Sequence, residues 1–268
     1  MSADLGPDDL WERIAPLLPP RPPRRHRYPG RLPADDCAAL RGIVYVLRES
    51  VSWRDVPAEL VGCSGVTAWR RLRDWTEAGV WPRLHEALLA ELREEDLLEM
   101  DDAAIDGSHV RALRKGAHTG PSPVDRARPG SKHHIIVDRH GTPLAIALTS
   151  GNRHDVTQLM PLLDAVPHIR GLRRPRHRPR RLFADRGYDF DKYRRLVRAR
   201  GITPKIARRG NPHGSGPGRT RWVVERAFAW LHQFKRLRIR YEIRADLHLG
   251  LFQLACSIIC LRRLRTAL

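Results

Sequence analysis

At 268 residues the chain is long enough for one large domain or two ordinary ones, and its 41% hydrophobic content suffices for a buried core. No apolar run reaches the ~20 residues of a membrane span, and Met1 to Leu5 has no charged-then-apolar secretory pattern, so the expected place is the cytoplasm, with no membrane partner. A formal charge of +19 makes nucleic acid the default partner, because such a field attracts polyanions.

The charge is uneven. Residues 1–100 carry 14 basic and 17 acidic side chains, whereas residues 101–268 carry 35 and 13, so whatever engages a polyanion lies mostly in the second part. Arg supplies 44 of the 49 basic residues, a bias that a GC-rich genome produces by itself, but the net sign stands regardless. Four cysteines are too few for a disulfide scaffold, and Cys256 and Cys260, four apart in an apolar run, read as core.

In chain order, the first predicted helix runs from Pro7 to Leu18, with Trp11, Ile14 and Leu18 on one stripe. The stretch "PPRPPRRHRYPGRLP" then reads as an extended connector, and helical periodicity resumes from Asp35 to Glu49. In "SGVTAWRRLRDW", Ser64 or Thr67 precedes a helix that buries Trp69, Leu72 and Trp75 and carries Arg70, Arg71 and Arg73 off that face. Helix, short turn and arginine-bearing helix suit a helix-turn-helix, although an ordinary amphipathic helix with a solvated basic face fits the segment equally well. A further helix, Trp81 to Leu92, ends in the acidic boundary run "REEDLLEMDD".

Beyond Asp101 the texture changes. "AAIDGSHV" is a short apolar strand interrupted by Asp106, and "KHHIIVDRHGTPLAIALTSG" gives two strands around a turn. Then come the helix "DVTQLMPLLDAV" behind a capping Asp155, the strand "RRLFAD", the helix "FDKYRRLVRARG", the strand "TPKIAR", a long helix from Arg219 to Leu237 and an apolar helix from about Leu247 to Leu264. Three strands, helix, strand, helix, strand, helix imply a mixed sheet flanked by helices.

Asp106 and Asp185 share a peculiarity: each interrupts or ends an apolar strand, where a charge is costly unless solvated, paired or bound to a cation. Glu225 is the acid of the helix "RWVVERAFAWLHQFKRL", with Arg221 and His232 on its face; a plain Arg221–Glu225 surface pair is the alternative. Three carboxylates on two strands and a helix suit a pair of Mg²⁺ ions, with open positions for water and phosphate. Arg111, Arg114 and Lys115, just after the first of these carboxylates, are candidate phosphate contacts. Asp101 and Asp102 read as solvated, and Asp138, Asp155, Asp189 and Asp191 as turn or cap residues. His109, His133, His134 and His154 match no zinc spacing.

The motifs "AAIDGSHVRA", "HTGPSPVDRARPGSKHHIIVD", "GNRHDVTQL", "ADRGYD" and "RWVVERAFAWLH", in that order, resemble a DDE transposase of bacterial insertion sequences, within the insertion sequence 5 family, in the arginine-rich form common in actinobacteria. The resemblance implies an RNase H-like catalytic domain over 98–268, preceded by a small all-α, helix-turn-helix-like DNA-binding domain over 1–97. It makes Asp106, Asp185 and Glu225 the catalytic, metal-holding residues, with Mg²⁺ as cofactor and Mn²⁺ as substitute. The implied partners are double-stranded DNA, as element terminal repeats and target, and a second copy of the chain, as homodimer or higher on DNA. The broader group's signature Y-x2-R-x3-E-x6-K falls here on Gly218, Arg221, Glu225 and His232, so two of its four residue types are replaced. The expected activity is metal-dependent strand cleavage and strand transfer. A nuclease that stops after hydrolysis and a catalytically silent repressor are the alternatives.

Overall fold

The computed structural model describes residues 7–21, 27, 32–168, 178–210 and 218–267, the side chains of 7–8, 218–221 and 267 excepted. Most of the basic connector, and the side chain of Arg221, lie outside the described residues.

Helix α1 (Pro7–Ile14) runs into a 3₁₀ turn over Ala15–Leu17. Helix α2 (Asp36–Glu49) starts where Asp35 accepts the Ala38 N–H at 2.9 Å, and stops at Ser50, which takes the left-handed conformation. A 3₁₀ turn (Trp53–Asp55) and a four-residue helix, α3 (Ala58–Val61), then lead to α4 (Gly65–Glu77), capped by Ser64 as its sequence predicts. Gly65 is obligatory there, because a Cβ would sit 1.7 Å from the Trp53 carbonyl oxygen. Helix α5 (Val80–Glu94) completes the N-terminal segment.

The sheet contains β1 (Asp102–Ala112), β2 (Gly120–Pro121), β3 (Pro129–Asp138), β4 (Pro143–Ser150), β5 (Arg181–Ala184), β6 (Thr203–Ile206) and β7 (Ile239–Arg240). Its path is β2-β3-β1-β5-β6, with β4 on β3 and β7 on the far end of β1. β3 pairs antiparallel with β1 and β4, whereas β5 runs parallel to β1 and β6. Interleaved are α6 (Leu159–Ala165), α7 (Asp191–Ala199), α8 (Gly218–Leu231) and α9 (Ala245–Ala267). The two-residue strands β2 and β7 carry no periodicity and escape sequence reading. The long helix expected to reach Leu237 ends at Leu231, and Lys235–Leu237 forms a separate 3₁₀ turn.

One hydrophobic cluster spans both halves of the chain, through Trp81 and Leu88 on α5, Leu251 and Phe252 on α9, and Ile135 and Val137 on β3. Helix α9 corrects the expectation drawn from apolar runs: over Ala245–Thr266 it is long and apolar enough to cross a membrane, but 78% of its apolar window is buried in the interior. It is the central core helix. Beside it runs a buried polar chain. Arg236 donates to Glu242 Oε1 from Nε at 3.0 Å and from Nη2 at 2.8 Å, and its Nη1 donates to the Val51 carbonyl at 3.0 Å. Glu242 Oε2 accepts from His248 Nδ1 at 3.3 Å, and His248 Nε2 meets His133 Nε2 at 2.8 Å. The N-terminal segment is thereby tied through α9 to the centre of the sheet.

Candidate active site

Strand β1 holds Asp106 at its middle, and Ala104 pairs with Phe183 across the parallel β1–β5 ladder. That register offset is 79 residues, the separation of Asp106 and Asp185, so the register carried two residues past its last pair sets the two acids level with each other, and the charges of both reach Tyr188. Asp185 also does local work: its Oδ1 accepts the Gly187 N–H at 2.8 Å and caps the 3₁₀ turn Arg186–Tyr188. Hence β5 runs directly into an acid that caps the following turn. Asp106 Oδ1 accepts the adjacent Gly107 N–H at 2.8 Å, and both acids are half-buried.

Pleat alternation sets which way Asp106 faces. It lies on the same side of β1 as Ser108, whose partner His133 has its ring centroid 4.4 Å from that of Phe252 and 5.1 Å from that of His248 on α9. Helix α8 packs against β1, β3, β5 and α9 and carries Glu225, exposed, between buried Val224 and half-buried Arg226. Among the described residues no three His, Cys, Asp or Glu side chains converge closely enough to hold a metal ion. Asp106, Asp185 and Glu225 therefore do not close a metal cage among the described residues. His232 follows the end of α8 half-buried; burial and the charge of Arg238 lower its pKa, so at neutral pH it is a neutral imidazole.

The opposite side of β1 holds a cluster that the sequence does not single out. Lys132 Nζ, buried, donates to Asp155 Oδ1 at 3.0 Å and to the Arg153 carbonyl at 2.8 Å. His134 Nε2 meets Thr149 Oγ1 at 2.7 Å, while its buried Nδ1 has no hydrogen-bond partner. Burial lowers His134 to about 4, so it is neutral. Asp155 is thus not the helix cap expected of it: His154 occupies the cap position of the Asp155–Gln158 turn, and the Asp155 carboxylate turns inward to Lys132. Tyr188 is also buried, its hydroxyl unpaired; burial and the charges of Asp106, Asp155 and Asp185 push its phenol well above the usual value. The signal for Tyr188 was its place three residues after Asp185, legible only once that turn is known. Asp102, expected in solvent, is buried opposite Arg181, which donates from Nη2 to Oδ2 at 2.8 Å.

The predicted DNA-contact arginines divide. Arg70 is exposed on α4, whereas Arg71 Nε donates to Asp36 Oδ1 at 2.8 Å and Arg73 Nη2 to Asp74 Oδ1 at 2.7 Å, with the Arg73 guanidinium 5.7 Å from the Trp69 ring centroid. Arg111 at the end of β1 and Arg114 and Lys115 just past it are all exposed. His133 and His134 are core residues.

Family comparison agrees with this geometry. The family model described as "Transposase DDE domain" matches residues 98–260, and the one described as "Putative transposase of IS4/5 family" matches residues 7–85. The chain is 61% identical over 150 residues to the "Putative transposase for insertion sequence element IS402" of Burkholderia cepacia, a match covering 56% of this chain and 71% of that one. It is 54% identical over 124 residues to the "Insertion element IS402 uncharacterized 16.2 kDa protein" of the same organism, covering 46% of this chain and 84% of that one. Among solved structures, the cryo-EM synaptic complex of piggyBac transposase with hairpin DNA aligns over 99% of this chain and 74% of that one, with TM-score 0.52 and 12% identity, a likeness of fold. With an RNase H-like mixed sheet behind a helical N-terminal segment, and a DDE-domain match over more than half its length, the chain belongs to the DDE transposase family of bacterial insertion sequences.

Proposed function

We propose that Asp106, Asp185 and Glu225 are the catalytic carboxylates of this transposase, acting on the ends of its own element. The observation that supports this reading is the β1–β5 register, whose 79-residue offset, carried two residues past its last pair, sets Asp106 level with Asp185 at the end of a parallel ladder. Parallel α/β sheets bind ligands outside such strand ends. Divalent ions are general to the family, and the donor set here fits them: half-buried carboxylate oxygens are the hard ligands that Mg²⁺ or Mn²⁺ takes, and the negative field felt by Tyr188 is one a cation would neutralise. Asp106 and Asp185 would hold such ions, with Glu225 joining from α8 when DNA is bound. Bound there, the metal supplies Lewis acidity toward the attacking hydroxyl and the leaving 3′-oxygen.

The remaining roles belong to the basic residues. Arg111, Arg114 and Lys115 hold the phosphate backbone beside β1, and Arg221 and His232 orient the strand along α8. Arg70 contacts DNA from the helix-turn-helix-like module over 1–97, where Arg71 and Arg73 are held by Asp36 and Asp74, against a catalytic domain over 98–268. Because both element ends are cut together, the working form is a homodimer or higher on double-stranded DNA. The test compares the full chain with Asp185→Asn on element-end duplexes with Mg²⁺ or Mn²⁺. Cleavage and joining by the native chain fall by about 10³-fold or more in the variant, with DNA binding retained. Binding without cutting by either protein identifies a repressor, and hydrolysis without joining identifies a nuclease.

A further inference from the structure

Away from the carboxylates, a cavity of about 640 Å³ opens between the N-terminal helices and the sheet, within the range of small-ligand sites. Three half-buried aromatic rings line it: Trp53 from the turn after α2, Trp69 from α4, and Tyr241 from the segment after β7. The guanidinium of Arg236 stacks 4.5 Å from the Tyr241 ring centroid and 5.9 Å from that of Trp53. Glu242 and the Val51 carbonyl fix that guanidinium, so the wall is a rigid, charge-neutralised platform and not a phosphate clamp. Arg114 lines the cavity as an exposed cation, with two half-exposed apolar residues, Leu113 and Ile243. Leu247, Arg244, which is paired with Glu77 and Asp246, and Ser52 and Ser50 complete the lining, and the Ser50 hydroxyl is buried without a hydrogen-bond partner.

Flat π surfaces inside, a cation outside and hydroxyls to one side match a nucleobase whose phosphate stays at the rim. The cavity also opens just past the end of the strand that carries Asp106. From Asp106 to Ala112 along β1 is roughly 20 Å at ~3.3 Å per residue, and Leu113 and Arg114 follow directly. Six steps of duplex at ~3.4 Å cover that distance. We propose that this cavity receives one unpaired base of the element-end DNA, extruded about six steps from the scissile phosphate. The inference rests on the DNA-cleaving reading above and names a subsite for the same substrate.

The test uses the full chain and duplexes of the inverted repeat flanking its gene, each carrying a single 2-aminopurine at a different position. Binding changes the fluorescence at one position near six steps inward and leaves the others flat. Trp69→Ala abolishes that signal and weakens binding about 5-fold or more, the lower end for loss of one base–aromatic stack, whereas Trp69→Phe keeps it. Ser52→Trp, at an exposed position that fills the cavity without entering the core, abolishes the signal even if Trp69→Ala fails to fold. Duplex binding with no position-specific signal, or a signal that survives Ser52→Trp, overturns the proposal. Free deoxyadenosine monophosphate that competes as well as the duplex assigns the cavity to a free nucleotide and overturns it too. Failure of every duplex to bind sinks the DNA reading itself, and this subsite with it.

Discussion

Replacing Glu242 by Gln removes the carboxylate that holds the buried Arg236 cation. Burial alone would raise the Glu242 pKa, but the hydrogen bond from His248 and the charge of Arg236 prevail and hold it down from 4.5 to about 2. A carboxyl depressed on folding stabilises the native state fully above its unfolded value, and the contribution is lost as pH falls from 4.5 toward 2. At ~1.36 kcal/mol for each pH unit between those two values, this carboxylate contributes about 3 kcal/mol at neutral pH. The variant also leaves Arg236 buried without its counter-charge, a loss of roughly 3–5 kcal/mol. Urea unfolding of both proteins across pH 7 to 2.5 measures the difference. We expect it to be about 3–5 kcal/mol at pH 7 and to shrink by most of 3 kcal/mol in the acid range, where the unfolded chain takes up a proton at this carboxyl while the native one stays largely ionised. A difference that stays constant with pH, or a loss at pH 7 below about 1 kcal/mol, would refute the assignment of this pair as the tie between the two halves.

Two other substitutions probe the interior and the DNA surface. At Gly107 a Cβ would lie 2.8 Å from Asp155 Oδ1 and 3.1 Å from His134 Nδ1, so Gly107→Ala lowers stability by ~1–3 kcal/mol in thermal or urea unfolding; an unchanged midpoint would show that Asp155 yields freely. Arg70 and Arg71 are sequence neighbours with different tasks. Arg70→Ala leaves stability within about 0.5 kcal/mol and weakens DNA binding, flattening the logarithmic salt dependence by about 0.9 per lost phosphate contact. Arg71→Ala, which breaks the half-buried contact with Asp36, shows instead as a stability loss of roughly 1 kcal/mol; equal effects on DNA binding from both would refute the division.

The amino-acid sequence by itself determined most of the element order, because periodicity and caps are local physics. Ser64 before Trp69 and Leu72, and Asp35 before Leu40 and Ile43, mark helix starts within one turn of their positions. The alternation and charge placement of "AAIDGSHV" and "RRLFAD" likewise exposed Asp106 and Asp185 as acids in the wrong surroundings for a plain strand. Tertiary structure alone decided what those acids face. The β1–β5 register pairs residues 79 apart, the separation of these two acids, and no local signal encodes a register between distant strands. The same holds for buried polar groups. Asp102 reads as part of a solvated acidic run, and Asp155 as a helix cap, until Arg181 and Lys132 arrive from other strands to neutralise them. Burial of charge is a property of pairs, and the partners here are brought together only when the sheet forms.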